Sequence, residues 1–165
     1  MAMLDVSEYK KSIIKEILDN EEIILALESP FKEYIPESPD TLVYLNIFPY
    51  LKIPDTQTNA ATYILLATDV ARISRHNATF SDMHLTFWVL AHKDHMKMKK
   101  HIATRTDYIG NKLKEHFVGH RSYGFNKLEL LFDKELLLNE RYIYREMVFE
   151  TNDLREPADK LRTTY

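Results

Sequence analysis

From Phe80 to His92 the chain alternates with a period of two, which predicts a strand rich in aromatic and β-branched residues and free of Gly and Pro. Leu85, Phe87, Val89 and Ala91 fall on one face, and His84, Thr86, Trp88, Leu90 and His92 on the other. Both faces are partly apolar, so an interior strand covered on both sides is expected. The period then changes. Ile109, Leu113 and Phe117 recur at i, i+4, i+8, with Ile102 and Tyr108 beside them, and predict an amphipathic helix. Thr104 with Asp107 three residues on gives a capping-box spacing, and Gly119 is placed to end the helix at C′. Between strand and helix lies a basic loop, Lys93 to His101, in which Met96 and Met98 alternate with lysines, so that one side packs and the other is wet.

The same reading extends to the rest of the chain. Val6, Tyr9, Ile13, Ile14, Ile17 and Leu18 predict a helix over 7–19, with Asp5 or Ser7 at its start. Asn20 is expected to cap a second short helix over 21–28 that buries Ile23, Ile24, Leu25 and Leu27. Pro30, Pro36 and Pro39 argue against regular structure in the loop that follows. A short strand or extended segment is expected over 42–48, stopped by Pro49, and a strand over 62–72. Ser74 to Asn77 would turn this strand into the central one, with Arg72 and Arg75 near the hairpin tip. Further strands are expected over 126–132 and 141–151, with a turn at Asn139-Glu140 and an extended tail over 152–165. This order predicts an α+β fold: a mostly antiparallel sheet of about four strands, helices on one face, and an N-terminal helical segment. A length of 165 residues fits one domain, with N-terminal helices (1–29), a proline-containing loop or arm (30–60), an α+β core (61–151) and a tail (152–165).

Composition narrows the chemistry. Cysteine is absent, which excludes disulfides, thiolate metal sites and cysteine nucleophiles. Only Gly110, Gly119 and Gly124 are present, too few for a phosphate-binding loop or a dinucleotide fingerprint. No apolar run reaches the roughly 20 residues of a membrane span, and Met1 to Lys11 lacks the apolar segment of a signal peptide. The net charge of −3 is unevenly spread. Residues 1–48 hold four basic and ten acidic side chains, whereas 92–121 hold eight basic and three acidic ones. Such opposed regions can orient the protein against a partner or a second copy of itself.

Three constellations carry potential chemistry. His92, Asp94 and His95 are metal-ligand types, with His101 and Asp82 as conceivable additions, but no spacing selects a third ligand. Lys97, Lys99, Lys100, His101 and Arg105 could contact phosphate or an acidic surface, although no nucleic-acid-reading signature accompanies them. Glu129, Asp133, Glu135, Glu140, Arg141, Arg145, Glu146 and Glu150 read as a solvated face or cross-strand ion pairs. No serine has the flanking glycines of a nucleophile elbow. Trp88 is expected in the core.

Four segments resemble the neck and tail-completion proteins of tailed bacteriophages, the tail-terminator-like class. They are Asn46 to Pro54 with Thr62 to Leu66, Leu85 to His92, Arg105 to Leu113, and Tyr142 to Asp153, together spanning about residues 42 to 153. The resemblance implies a non-enzymatic virion protein without a cofactor. It implies a ring, commonly a hexamer, between the tail tube protein and the head-side connector, with DNA passing through unread. It implies location in the tail or neck, after assembly in the host cytoplasm, and no membrane. Lys93, Lys97, Lys99, Lys100, Arg105, Arg72, Arg75, Arg141 and Arg145 are then the candidates for the subunit interface or the lumen. The long Pro30–Pro54 segment departs from the pattern and is expected to form an extra arm. Two other readings stand beside this one: a small metal-dependent enzyme using His92, Asp94 and His95, and an adaptor that binds acidic partners through Lys93 to Arg105.

Overall fold

The computed structural model describes residues 6–54, 60–73, 80–120 and 127–154, with side chains left undescribed at 70–73, 80–82 and 151–154. Helices α1 (Val6–Leu18), α2 (Glu21–Leu27) and α3 (Arg105–Phe117) accompany strands β1 (Ile47–Phe48), β2 (Thr62–Ile73), β3 (Phe80–His92), β4 (Glu129–Leu137) and β5 (Tyr142–Leu154). The strands form one sheet in the order β1-β2-β3-β5-β4. All pairings are antiparallel except β1 with β2, so the fold is α+β with a mostly antiparallel sheet.

β3 is the central strand, as its two apolar faces predict. It pairs with β5 from Phe80↔Leu154 to His92↔Tyr142 without a register shift. On its other side it pairs with β2, with one irregularity between Val70 and Arg72. Leu85, Phe87 and Val89 meet Ile64, Leu66, Met147 and Phe149 on one face, and α1, α2 and α3 lie over them in one continuous core. Phe87 stands at its centre, 5.2 Å from the Phe117 ring and 5.7 Å from that of Phe149. The opposite face carries a smaller cluster of Phe48, Ala61, Tyr63, Leu65, Leu90 and Tyr142, to which none of the three helices contributes.

The helix ends follow from their capping residues. The Thr104 side chain accepts from the Asp107 N–H at the start of α3, and Gly119 takes φ +79° just beyond its end. Asn20 caps α2 in the same way through the Ile23 N–H. Leu25, expected in the core, is instead exposed, and Ala26 is buried in its place, because α2 turns that side outward.

The segment 42–48 differs from expectation. It begins as a 3-10 turn, Pro39–Leu42, and only Ile47 and Phe48 pair, in parallel, with Ile64 and Leu65. Asn46 fixes this geometry. It is fully buried, its Nδ2 donates to Thr62 O at 2.8 Å, its Oδ1 accepts from Ser29 Oγ at 2.6 Å, and its backbone oxygen receives Ile64 N. The proline-containing segment is thereby fastened to the sheet edge, and the count of strands rises to five. β4 starts later and runs further than the 126–132 expected, because a register shift between Leu130 and Phe132 breaks its alternation. β5 continues to Leu154, three residues beyond the predicted end. The Ser74–Asn77 turn and the tail beyond Leu154 lie outside the described residues.

Candidate functional site

The basic loop leaves β3 at His92, makes a 3-10 turn over Lys93–His95, and returns to α3 through an antiparallel bridge between Lys97 and Thr104. Met98 is buried in the core while Lys93, Lys97, Lys99 and Lys100 are exposed, as the alternation predicts. None of these four lysines forms an ion pair among the described residues. Together they make a fixed loop with a one-sided positive surface.

Arg105, placed by sequence among the interface cations, has a different position. It is 1% exposed and is the largest fully buried side chain of the described residues. Its Nε donates to His95 O at 2.7 Å, Nη2 donates to Lys97 O at 3.2 Å and Glu28 Oε2 at 3.1 Å, and Nη1 donates to Ala26 O. A planar five-donor group suits this task, since it satisfies carbonyls from both the α2 end and the loop. Arg105 therefore holds the loop and is not available to a partner.

Arg145 is likewise engaged within the fold. It projects from β5 beneath α3 and pairs with Asp107 and with Asp133, the latter at 2.6 Å. Lys114 joins Asp133 at 2.5 Å. Burial works to raise the Asp133 carboxyl pKa, but the hydrogen bonds from Lys114 and Arg145 outweigh it, so the net shift is downward. Gly110 makes this passage possible, because a Cβ there would lie 2.8 Å from Arg145 Cδ. Arg141 is exposed beside the β4–β5 turn. Arg72 lies in β2 with its side chain outside the described residues, and Arg75 lies outside them altogether.

The acidic N-terminal region is also partly committed internally. Glu8 pairs with Lys11, Glu22 with Lys112, Glu28 with Arg105 and Glu16 with His116. Fewer acids are thus available to a neighbour than the bare count suggests.

The histidine cluster does not assemble as a metal site. His92 Nδ1 accepts from the Asp94 N–H at 3.2 Å and sits edge-on to Tyr142, while His95 Nδ1 contacts Thr62 Oγ1 at 2.7 Å. Burial, with Arg105 nearby, pushes the His95 pKa below its ordinary value. Convergent ligand atoms occur elsewhere among the described residues, at Glu16, His116 and His120, which sequence reasoning missed. The available signal was the four-residue spacing of the two histidines across Gly119.

The other exposed feature is the sheet itself. The Trp88 and Tyr144 rings lie 4.7 Å apart, tilted by 30°, on the helix-free face, and Trp88 Nε1 donates to Glu146 at 3.1 Å. Trp88 is only half-buried, not a core residue. Beside it β4 is an edge strand with Leu131 at 44%, Phe132 at 41% and Leu137 at 71% exposure.

The fold and its surfaces define an α+β protein with one sheet face covered by helices, a second face covered in part by side chains from outside the helices such as Phe31 and Leu138, and a basic loop at one end of the sheet. A family model, YomW, matches residues 12–151. The chain belongs to the YomW family, which is phage-derived (SPBc2 prophage-like). No curated protein matches the chain. Among the described residues no helix is long and apolar enough to cross a membrane.

Proposed function

We propose that this chain is a non-enzymatic structural protein of a phage tail or neck that assembles through its sheet into a ring, in the manner of a tail terminator. The observation that carries the reading is the pair of unlike sheet edges. On one side β4 offers a nine-residue edge with exposed Leu131, Phe132 and Leu137. On the other, β1 covers β2 only at Ile64 and Leu65. An edge strand of this length presents a row of unpaired backbone groups, a template for strand addition. Joining unlike edges is a heterologous contact, and such contacts give rings when the rotation closes. The membership in a phage-derived family supports a particle setting.

In this reading Lys93, Lys97, Lys99 and Lys100 face either the next subunit or the DNA in the lumen. Contact with phosphates there would be electrostatic and indifferent to sequence. The neighbours along the particle axis would be the tail tube protein and a head-side connector, the copy number six, and the location the virion.

Light scattering on a size-exclusion column tests this. The full chain should elute as an oligomer several times its 19.5 kDa monomer mass. Leu131→Lys with Leu137→Lys should return it to the monomer without loss of helical and strand signal. A wild-type chain that stays monomeric at high concentration, alone and with tail tubes, would refute the ring.

A further inference from the structure

α1 and the end of α3 bring three ligand groups to one point. His116 Nε2 lies 2.7 Å from Glu16 Oε2, and His120 Nε2 lies 3.9 Å from the same oxygen. The three ligand atoms all fall within 4.8 Å of one another. The two imidazoles stack at 25° with centroids 5.8 Å apart. Each side chain is about one-third exposed, so solvent reaches the point between them.

The backbone holds this arrangement. His116 lies in the last turn of α3, edge-on to Phe117 at 4.8 Å. Gly119, at φ +79°, reverses the chain so that His120 folds back over His116. The reversal is clamped on both sides. Gly119 N donates to Leu128 O at 2.9 Å, Leu128 N donates to His120 O at 3.0 Å, and His120 N donates to Phe117 O at 3.1 Å. Leu128 is itself 1% exposed. Glu16 comes from the helix that packs alongside, with Ile13 and Ile17 on either side of it fully buried.

We infer that Glu16, His116 and His120 form a three-ligand site for a divalent transition metal of the zinc class. Two neutral imidazoles and one carboxylate suit zinc, with water in the fourth position. Bonds of about 2.0–2.2 Å to such a metal place tetrahedral ligand atoms roughly 3.3–3.5 Å apart. The separations from Glu16 Oε2, 2.7 and 3.9 Å, lie on either side of that spacing. Metal entry therefore needs the Glu16–His116 pair to open by roughly 0.6–0.8 Å and the Glu16–His120 pair to close by roughly 0.4–0.6 Å. The ion would replace the Glu16–His116 hydrogen bond and staple α1 to the end of α3. The ring assembly proposed above does not depend on it.

The test is zinc chloride titrated into the full chain after chelator treatment, followed by calorimetry and thermal melting. One equivalent should bind. At zinc one hundred times its Kd the melting temperature should rise by roughly 5–10 °C. Cobalt(II) in place of zinc should give the visible absorption of a tetrahedral site. His120→Ala and Glu16→Gln should each abolish both the binding and the thermal shift, while His92→Ala with His95→Ala should leave them intact. His120 and Glu16 are partly exposed, so both single variants should fold, and circular dichroism confirms it. Absence of uptake by the wild-type chain, or uptake unchanged in both single variants, would overturn the site. So would uptake that depends on His92 and His95.

Discussion

The two faces of the sheet are built from alternate residues of the same strands, yet they have opposite character. On the helical face, Phe87 is completely buried between two rings and three helices. One residue on, Trp88 stands half-buried on the face that no helix covers, tilted against Tyr144 and bonded to Glu146. Both side chains are large and aromatic, so residue type does not set the difference. What sets it is the supply of cover. Three helices cover one face, while the other is covered only at one end, where Phe31 and Leu138 pack on the cluster around Tyr63 and Tyr142. The larger part of the buried core lies on the first face, and the second is buried at one end and half-open around Trp88.

The comparison is broken most directly by paired truncations. Phe87→Ala should cost about 3–5 kcal/mol in urea unfolding, as for a filled core position. Trp88→Ala should cost roughly 1–2 kcal/mol, because much of that ring is already in contact with water. Equal costs would mean that Trp88 is packed as tightly as Phe87. Arg105→Lys comes next. Lysine cannot reproduce the fork that reaches Ala26, His95 and Lys97, so about 2–4 kcal/mol should be lost through unsatisfied buried carbonyls. A change under about 0.5 kcal/mol would show that the loop is held by something else. Gly110→Ala is a smaller and more pointed test. Alanine favours helix by about 1 kcal/mol, but its Cβ collides with Arg145. Net destabilisation of about 1–2 kcal/mol is expected, and net stabilisation would show that Arg145 moves aside freely.

The smallest expected effect is on pH dependence. The folded-state pKa of His95 lies below its ordinary value of about 6.5. On acidification the unfolded chain therefore takes up the proton first. The contribution of His95 is fully present above about pH 6.5 and is lost as pH falls through the folded pKa. His95→Gln should flatten the melting temperature between neutral and mildly acidic pH relative to wild type. An identical slope in the two proteins would assign the effect to another group.

Legibility in the sequence followed the range of the interactions concerned. β3 and α3 were readable because local periodicity and capping define them, from Phe80 to His92 and from Thr104 to Gly119. β4 was misplaced because the shift beside Leu131 puts two neighbouring apolar residues in solvent and hides the two-residue period. Arg105 was misassigned for a different reason. One of its acceptors, Ala26, is 79 residues away, and a carbonyl leaves no mark in the sequence. Glu16 and His116 meet across 100 residues, so their meeting required the packing of α1 on α3. The basic loop was half-legible: the alternation of Met98 with lysines showed the wet side, but not that an arginine holds it from beneath.

The ladder between β3 and β5 has a consequence for how the chain reaches this state. β2 with β3, and β4 with β5, are neighbours in sequence, and hairpins of that kind close in roughly 1–10 μs. The longest ladder joins 80–92 to 142–154, and α3 lies between them. Docking the two hairpins therefore encloses a long loop, whose closure entropy is lost before the contacts that offset it are made. This docking is expected to be the barrier. Met147→Ala, at the seam beneath α3, should slow refolding in a chevron experiment, whereas truncation of exposed Phe132 on β4 should act mainly on unfolding. Until the seam closes, each hairpin exposes an unpaired inner edge, and a nascent chain at high concentration meets its most serious competitor there: the same hairpin of another copy.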